Sequence, residues 1–320
     1  MRIIKKLIKK RLVFSFLIIM TCCAVSALLA PQNATAGDLP QVQQAGVLRH
    51  LGVPYANFVT GSGDGLDVEL IKLFARHLGV RYEYVKTDWQ NVIPDLTGKQ
   101  VTVEKGQVHV TGETPVKGDL AANGMTILPW RSTIIDFSSP TFPTQVWLLA
   151  RADSPMQPIV PTGDINQDIV LVKKTLQGHP TIGKQQTCLD PELYNLKQCA
   201  SSVLLFDGAL NELAPAVLNG MAESTILDVP DALIALEKWP GKLKVIGPIS
   251  PEQQMGVGFA KTSPLLRQAF EKFFAEIKAD GTYHRLVNKY YLSVFSFYPN
   301  FFENQQIKDL KKVHRTAEGG

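Results

Sequence analysis

Gly124-Met-Thr-Ile-Leu-Pro-Trp-Arg131 runs almost directly into Ile134-Ile-Asp-Phe-Ser138, and the pair of segments orients the whole chain. A small hydroxyl, Thr126, stands five residues before a guanidinium, Arg131, where a strand-like run gives way to a turn. Arg offers a planar fork of donors that matches a carboxylate edge to edge. The Thr126 hydroxyl and the Gly124 backbone can serve the remaining polar groups of such a guest. The cluster suits capture of a small anion or zwitterion. A single Arg could equally be tied to an acidic neighbour on the surface.

The N-terminus sets the compartment. Arg2, Lys5, Lys6, Lys9, Lys10 and Arg11 come first without an acid, then a 19-residue apolar run from Leu12 to Ala30, then Ala34-Thr-Ala36. A basic start, an apolar stretch and a small-x-small site are the three parts of a secretory signal. Residues 1–36 are therefore expected to be a signal peptide, leaving a mature chain of 284 residues from Gly37. The apolar run also has the length to span a bilayer, so an uncleaved anchor is the alternative. Cys22 and Cys23 follow Thr21 and Cys22, where lipoprotein processing wants Gly, Ala or Ser, so lipidation is a weak reading.

Removing the leader reverses the charge. The whole chain is +4, but the mature part holds 27 basic and 29 acidic residues, a net of −2. The basicity belongs to the leader and gives no reason to expect nucleic acid as a partner. Two of the four cysteines also lie in the leader. Cys188 and Cys199 remain, with ten residues between them, and in an exported protein they form a candidate disulfide. Such a bridge would close a short loop and add about 2–3 kcal/mol. The six histidines show no ligand-like spacing, and no metal site or cofactor is expected.

A mature chain of this length is expected to form two lobes, and its alternating strands and helices argue α/β. Val47–Val53 reads as a strand, Leu66–Leu78 as a helix stopped by Gly79, Arg81–Val85 as a strand and Gln90–Leu96 as a short helix. Lys99–Glu104 and Gln107–Thr111 alternate polar and apolar residues about a Lys-Gly turn, a β-hairpin signature. The three prolines of Ala150–Thr162 suggest an irregular crossing segment. Asn211–Asn219 reads as helical, Thr225–Asp228 as a strand leading into a helix at Val229, and Lys242–Gly247 and Met255–Ala260 as strands. Ser263-Pro264 reads as an N-cap for a helix burying Leu266, Phe270, Phe273 and Ile277, and a last helix follows at Tyr283–Tyr291. Gly178-His-Pro-Thr-Ile-Gly-Lys184 imitates a P-loop, but Gln185 stands where the magnesium-binding hydroxyl belongs.

The Gly124–Pro140 pattern resembles the signature of the bacterial extracellular solute-binding proteins that serve polar amino acid ABC transporters. Gly65-Leu-Asp-Val-Glu-Leu70, Asn219-Gly-Met-Ala-Glu-Ser-Thr-Ile-Leu-Asp228 and Lys278-Ala-Asp-Gly-Thr-Tyr283 resemble further family motifs. The likeness runs from about Leu48 to Tyr291, and the hairpin at 97–119 departs from it. It implies a two-lobe periplasmic-binding-protein-like fold with two crossing strands: lobe one 37–146 plus 255–320, lobe two 147–254. It also implies that Arg131 clamps a ligand carboxylate, that Thr126 and the Gly124 carbonyl hold carboxylate and ammonium, and that Tyr55 packs on the ligand. Asp228 takes the position of the acid that meets the ammonium, and Thr187 lies near a second-lobe hydroxyl or amide. The stretch Gln185-Gln-Thr-Cys188 departs from the family's usual Gly-Thr-Thr. Asp228 could also simply cap the following helix, and Tyr55 could be ordinary core. Trp89, Trp147 and Trp239 read as core or rim, while Trp130 neighbours Arg131.

The function implied is a monomeric periplasmic receptor that delivers a small zwitterion, an amino acid by preference, to a membrane ABC permease. It is not expected to be an enzyme. The alternatives are a sensory or cell-wall-associated module and a dehydratase-type enzyme, for which Glu223 is the nearest acid by sequence.

Overall fold

The computed structural model describes residues 36–302 apart from Lys105. The leader up to Thr35 and the polar tail after Phe302 fall outside the described residues. The first part of the chain forms α1 (Leu39–Ala45), β1 (Val47–Gly52), α2 (Leu66–His77), β2 (Arg81–Lys86), α3 (Val92–Thr97), β3 (Lys99–Glu104), β4 (Gln107–Glu113), β5 (Leu120–Ala121), α4 (Pro129–Ile134), β6 (Ile135–Phe137) and β7 (Phe142–Thr144). The middle adds β8 (Val146–Arg151), α5 (Ile165–Thr175), β9 (Pro180–Gly183), β10 (Ser202–Leu205), α6 (Leu213–Leu218), β11 (Ser224–Asp228), α7 (Val229–Lys238) and β12 (Leu243–Pro248). The chain then returns through β13 (Gln253–Met255), β14 (Gly258–Ala260), α8 (Pro264–Ala279), α9 (Thr282–Tyr291) and α10 (Val294–Phe297).

Two mixed sheets divide these elements into two lobes. The first has strand order β2-β1-β5-β14-β6 and the second β10-β9-β11-β8-β12. Between them β7 and β13 pair antiparallel, Gln253 opposite Thr144 and Met255 opposite Phe142. These two short strands carry the chain out to the second lobe and back. The crossing is therefore not at Ala150–Thr162. Ala150 lies inside β8, paired on both sides, because its apolar run Val146–Ala150 serves the second core and the prolines come only after that strand ends. The expected strand Met255–Ala260 is likewise divided, one part pairing in the crossing and the other in the first sheet.

The helices follow their sequence patterns. Helix α2 buries Leu66, Leu70, Ile71 and Phe74 and carries Asp67 and Glu69 in its first turn and Arg76 and His77 in its last. That charge order complements the helix dipole. Phe74 meets Phe270 of α8 edge to face at 5.3 Å, and Phe270 stacks on Phe274. Each fully buried ring or Leu contributes about 1.5–3 kcal/mol. At the start of α8 the expected cap is replaced. Ser263 makes no side-chain capping bond, and the Leu266 N–H donates instead to Asp38 Oδ1 at 2.7 Å. A carboxylate from the chain start thus takes a donor at the helix N-terminus. The P-loop imitation is part of strand β9, not a loop before a helix.

The hairpin forms as its alternation predicts, with Val101 opposite Val110 and Val103 opposite Val108. Val101, Val103 and Val108 pack on the core, while Val110 is exposed.

Candidate functional site

The Gly124 turn is built by another motif. Gly65 lets the chain pass so close to Phe58 that a Cβ there would lie 2.3 Å from the Phe58 carbonyl oxygen. Two residues later, the buried Asp67 accepts the Gly124 N–H at Oδ2, 2.7 Å away. Gly124 itself is left-handed, φ +64°, with the Phe58 ring where a side chain would be. Burial raises the Asp67 carboxyl to about 7, against the Gly124 N–H, which favours its charged form. Beyond this turn, Thr126 bridges to Met255 of the crossing strand, and α4 starts at Pro129. The signature is therefore a turn, a bridge and a helix start, where a strand-like run had been expected.

Helix α4 turns Arg131 inward. Its side chain is 2 % exposed, and its Nη1 donates to the Thr126 carbonyl at 2.9 Å. The guanidinium lies between two indoles, 5.5 Å from the Trp89 ring and 5.2 Å from Trp130, within cation–π range. Burial lowers its pKa, but a guanidinium stays charged in a protein. Among the described residues no carboxylate lies within ion-pair distance of it. Ordinarily a buried charge is paired, because leaving water uncompensated is costly.

The second lobe supplies the opposite charge. Asp228 ends β11 and N-caps α7, its Oδ1 accepting the Asp231 N–H at 3.3 Å. It is fully buried, and burial raises its carboxyl to about 6. No described cation pairs with it either. The Cys188 thiol donates to Asp228 Oδ2 at 3.7 Å. The same thiol feels Asp228 and Arg131 electrostatically and faces the Thr126 hydroxyl. Cys188 thus marks where the two lobes meet.

Tyr55 completes the enclosure from the first lobe. Its ring is fully buried, stacked with Phe58 at 6.4 Å and edge-on to Trp89 at 5.6 Å. The hydroxyl is turned to Asp228 but lacks a partner at hydrogen-bonding geometry among the described residues. Thr126 Oγ1 and Trp89 Nε1 are also buried and have no hydrogen-bond partner among the described residues. Buried polar atoms are normally bonded, and each one left alone costs about 1–3 kcal/mol. Next to Tyr55, the Ala56 N–H donates across the cleft to Asn211 Oδ1 at 2.9 Å.

Tyr55, Thr126, Arg131 and Asp228 thus come together around Cys188, whereas Gly124 lies in the turn before Thr126, its N–H held by Asp67. Thr187 is buried beside it, but its hydroxyl is engaged within its own loop, donating to the Lys184 carbonyl and accepting from the Leu189 N–H. The neighbouring Cys188 faces the cleft instead. The candidate disulfide is not formed, since both cysteines are free. Two short 3-10 turns separate them, and Tyr194 holds the Cys188 carbonyl at 2.5 Å. Cys188 turns to Asp228, whereas Cys199 meets the Leu196 carbonyl. Trp89 and Cys188 are the site members that sequence reasoning missed. The departure Thr187-Cys188 from a Thr pair was the one signal for the latter. Glu223, the acid considered for a dehydratase, pairs with His179 at 2.9 Å beyond the other end of β11, roughly 16 Å from Asp228 at about 3.3 Å per strand residue.

Comparison with known proteins agrees with this architecture. The chain is 23% identical over 295 residues to the histidine-binding periplasmic protein of Escherichia coli K12, covering 88% of this chain and 97% of that one. It is 26% identical over 252 residues to a membrane-bound lytic murein transglycosylase F of Desulfosudis oleivorans, covering 78% of this chain. It spans about half the length of that relative, 47%. Among solved structures, holo ArgBP from T. maritima superposes with a TM-score of 0.58 at 23% identity, covering 79% of this chain and 99% of that one. The ancestral amino acid-binding protein AncCDT-1, a precursor of cyclohexadienyl dehydratase, gives 0.62 at 23% identity, covering 79% and 98%. At these identities the structures show the fold. The sequence pattern of one family matches residues 52–115 and 114–293, nearly all of the two lobes, and the chain belongs to the bacterial extracellular solute-binding proteins, family 3.

Proposed function

We propose that this protein is a periplasmic receptor for a small zwitterion, an amino acid by preference, which it passes to a membrane ABC permease. In this reading lobe one is 37–146 plus 255–320, lobe two is 147–254, and the protein works as a monomer after removal of its leader. The observation that carries it is the pair of buried charges, Arg131 on one lobe and Asp228 on the other, neither with an ion-pair partner among the described residues. A carboxylate fits the first and an ammonium the second. The polar atoms of Tyr55, Thr126 and Trp89 supply donors and acceptors around them. Only the closed arrangement brings both charges to one ligand, so ligand favours closure about β7 and β13.

A thermal-shift screen of the protein against the twenty amino acids and small di-acids tests this, because a ligand of the folded state raises the melting temperature. Charge-assisted bonds contribute about 1.5–3 kcal/mol, so Arg131→Ala should weaken the best ligand at least about tenfold. Equal binding by Arg131→Ala would show that the ligand sits elsewhere. The likeness to a murein transglycosylase supports a second reading, a wall-associated binding module. Silence across all amino acids with a shift from murein fragments would favour it.

A further inference from the structure

Beside Trp130, whose ring lies on Arg131, there is a cavity of about 320 Å³. Its first-lobe side is Trp130 together with Val103 and Gly106 of the β3–β4 hairpin. Its second-lobe side is the 186–195 segment, including Thr187, Glu192 and Leu193. Trp130 lies on Arg131 and also lines this cavity, and Thr187 precedes the cleft-facing Cys188. The cavity therefore adjoins the charged site with one indole between them. Its second-lobe wall is firmly built: Asp190 accepts the Gln186 and Glu192 N–H groups, and Tyr194 bonds the Cys188 carbonyl. The Glu192 carboxylate is exposed and has no partner among the described residues, and Leu193 is 39 % exposed.

We propose that this cavity is a subsite for a second, residue-sized part of the solute, and that the hairpin is present to wall it. The inference rests on the zwitterion reading above. The α-carboxylate and α-ammonium are committed to Arg131 and Asp228, so the additional part is joined through the side chain. Small-molecule pockets begin at about 300 Å³, so a cavity of this size takes one such group. Trp130, Val103 and Leu193 offer it apolar surface, and Glu192 offers a carboxylate to a cationic end. The solute class is a side-chain-conjugated amino acid with a donor or cation at its far end.

Calorimetric titration with γ-glutamyl-lysine, γ-glutamyl-glutamate and glutamine tests this. Glutamine has the same head and lacks the second residue. The expected result is γ-glutamyl-lysine binding at least tenfold more tightly than glutamine. Leu193→Trp, which fills the cavity from an exposed position, should remove that advantage and leave glutamine unchanged. Glu192→Gln, an isosteric surface change, should narrow the preference for the lysyl over the glutamyl compound. The proposal is overturned if γ-glutamyl-lysine binds no better than glutamine, if the protein binds free amino acids but none of these three, or if Leu193→Trp weakens both compounds alike. If the wild-type protein binds no amino acid or γ-glutamyl compound at all, the zwitterion reading itself fails and this inference falls with it.

Discussion

Replacing Asp228 with Asn separates what the site costs the fold from what it gives the ligand. The carboxyl is fully buried, and burial raises it from 3.8 to about 6, although Tyr55, the Asp231 N–H and Cys188 all favour its charged form. A raised pKa means that the folded state holds the proton more tightly than the unfolded chain. Its stabilising effect is complete below pH 4 and is lost as pH rises through 6. At about 1.36 kcal/mol per pH unit, the ionised group costs on the order of 3 kcal/mol above pH 7. Asn does not titrate, and its oxygen can still accept the Asp231 N–H. Asp231 gains as well, because its own carboxyl is raised by burial and then by Asp228. Ligand-free Asp228→Asn should therefore melt higher than wild type at pH 8, by about 5 °C or more at roughly 2–4 °C per kcal/mol. That difference should shrink towards pH 4. Ligand affinity should move the other way, falling at least about tenfold in the variant at pH 8. Wild-type affinity should fall about tenfold from pH 8 to pH 5 as Asp228 takes up its proton, and the variant should lose this dependence. Calorimetric melting and titration at pH 4.5, 6 and 8 measure both effects. A variant less stable than wild type at pH 8, or a stability difference independent of pH, would refute the reasoning.

Two further substitutions probe the same site. Gly124→Ala would place a Cβ 2.4 Å from the Phe58 ring at a residue with φ +64°. The left-handed backbone costs roughly 1–2 kcal/mol and the overpacking about 1–3 kcal/mol, so denaturant unfolding should show a loss of about 2–5 kcal/mol; unchanged stability would mean the turn is not built as described. Cys188 should react with N-ethylmaleimide slowly, since burial and Asp228 push its thiol up to about 12, and bound ligand should slow it at least tenfold further while leaving Cys199 unaffected. Labelling of Cys188 that ignores ligand would remove it from the site.

The parts of this site that the sequence reveals are those whose geometry is local. Arg131, Thr126 and Gly124 lie in one short segment, and their spacing is enough to suggest an anion clamp. Asp228 is visible because a strand ending in Asp before Val229-Pro230 is also a helix cap, and the structure shows the residue in that role while its second oxygen faces the cleft. Trp89 gives no comparable signal. An aromatic residue between a strand and a helix looks like core, and only the folding of α4 against it puts a guanidinium on its ring. Cys188 was obscured by a sound general rule, that exported cysteines pair, which knows nothing of which way a loop turns its side chains. The crossing strands were misplaced for a related reason. Each is three residues long and, apart from the Thr126–Met255 bridge, pairs only with the other, so neither has the periodicity that marks a strand within a sheet. Sequence patterns record burial against a lobe's own core, and the crossing strands and the space between the lobes are where that core stops. The residues hardest to read are therefore those that join the lobes and line the space between them, and the Asp67–Gly124 bond, which ties one motif to the turn before Thr126, shows that the legible residues are held in place by contacts between distant segments.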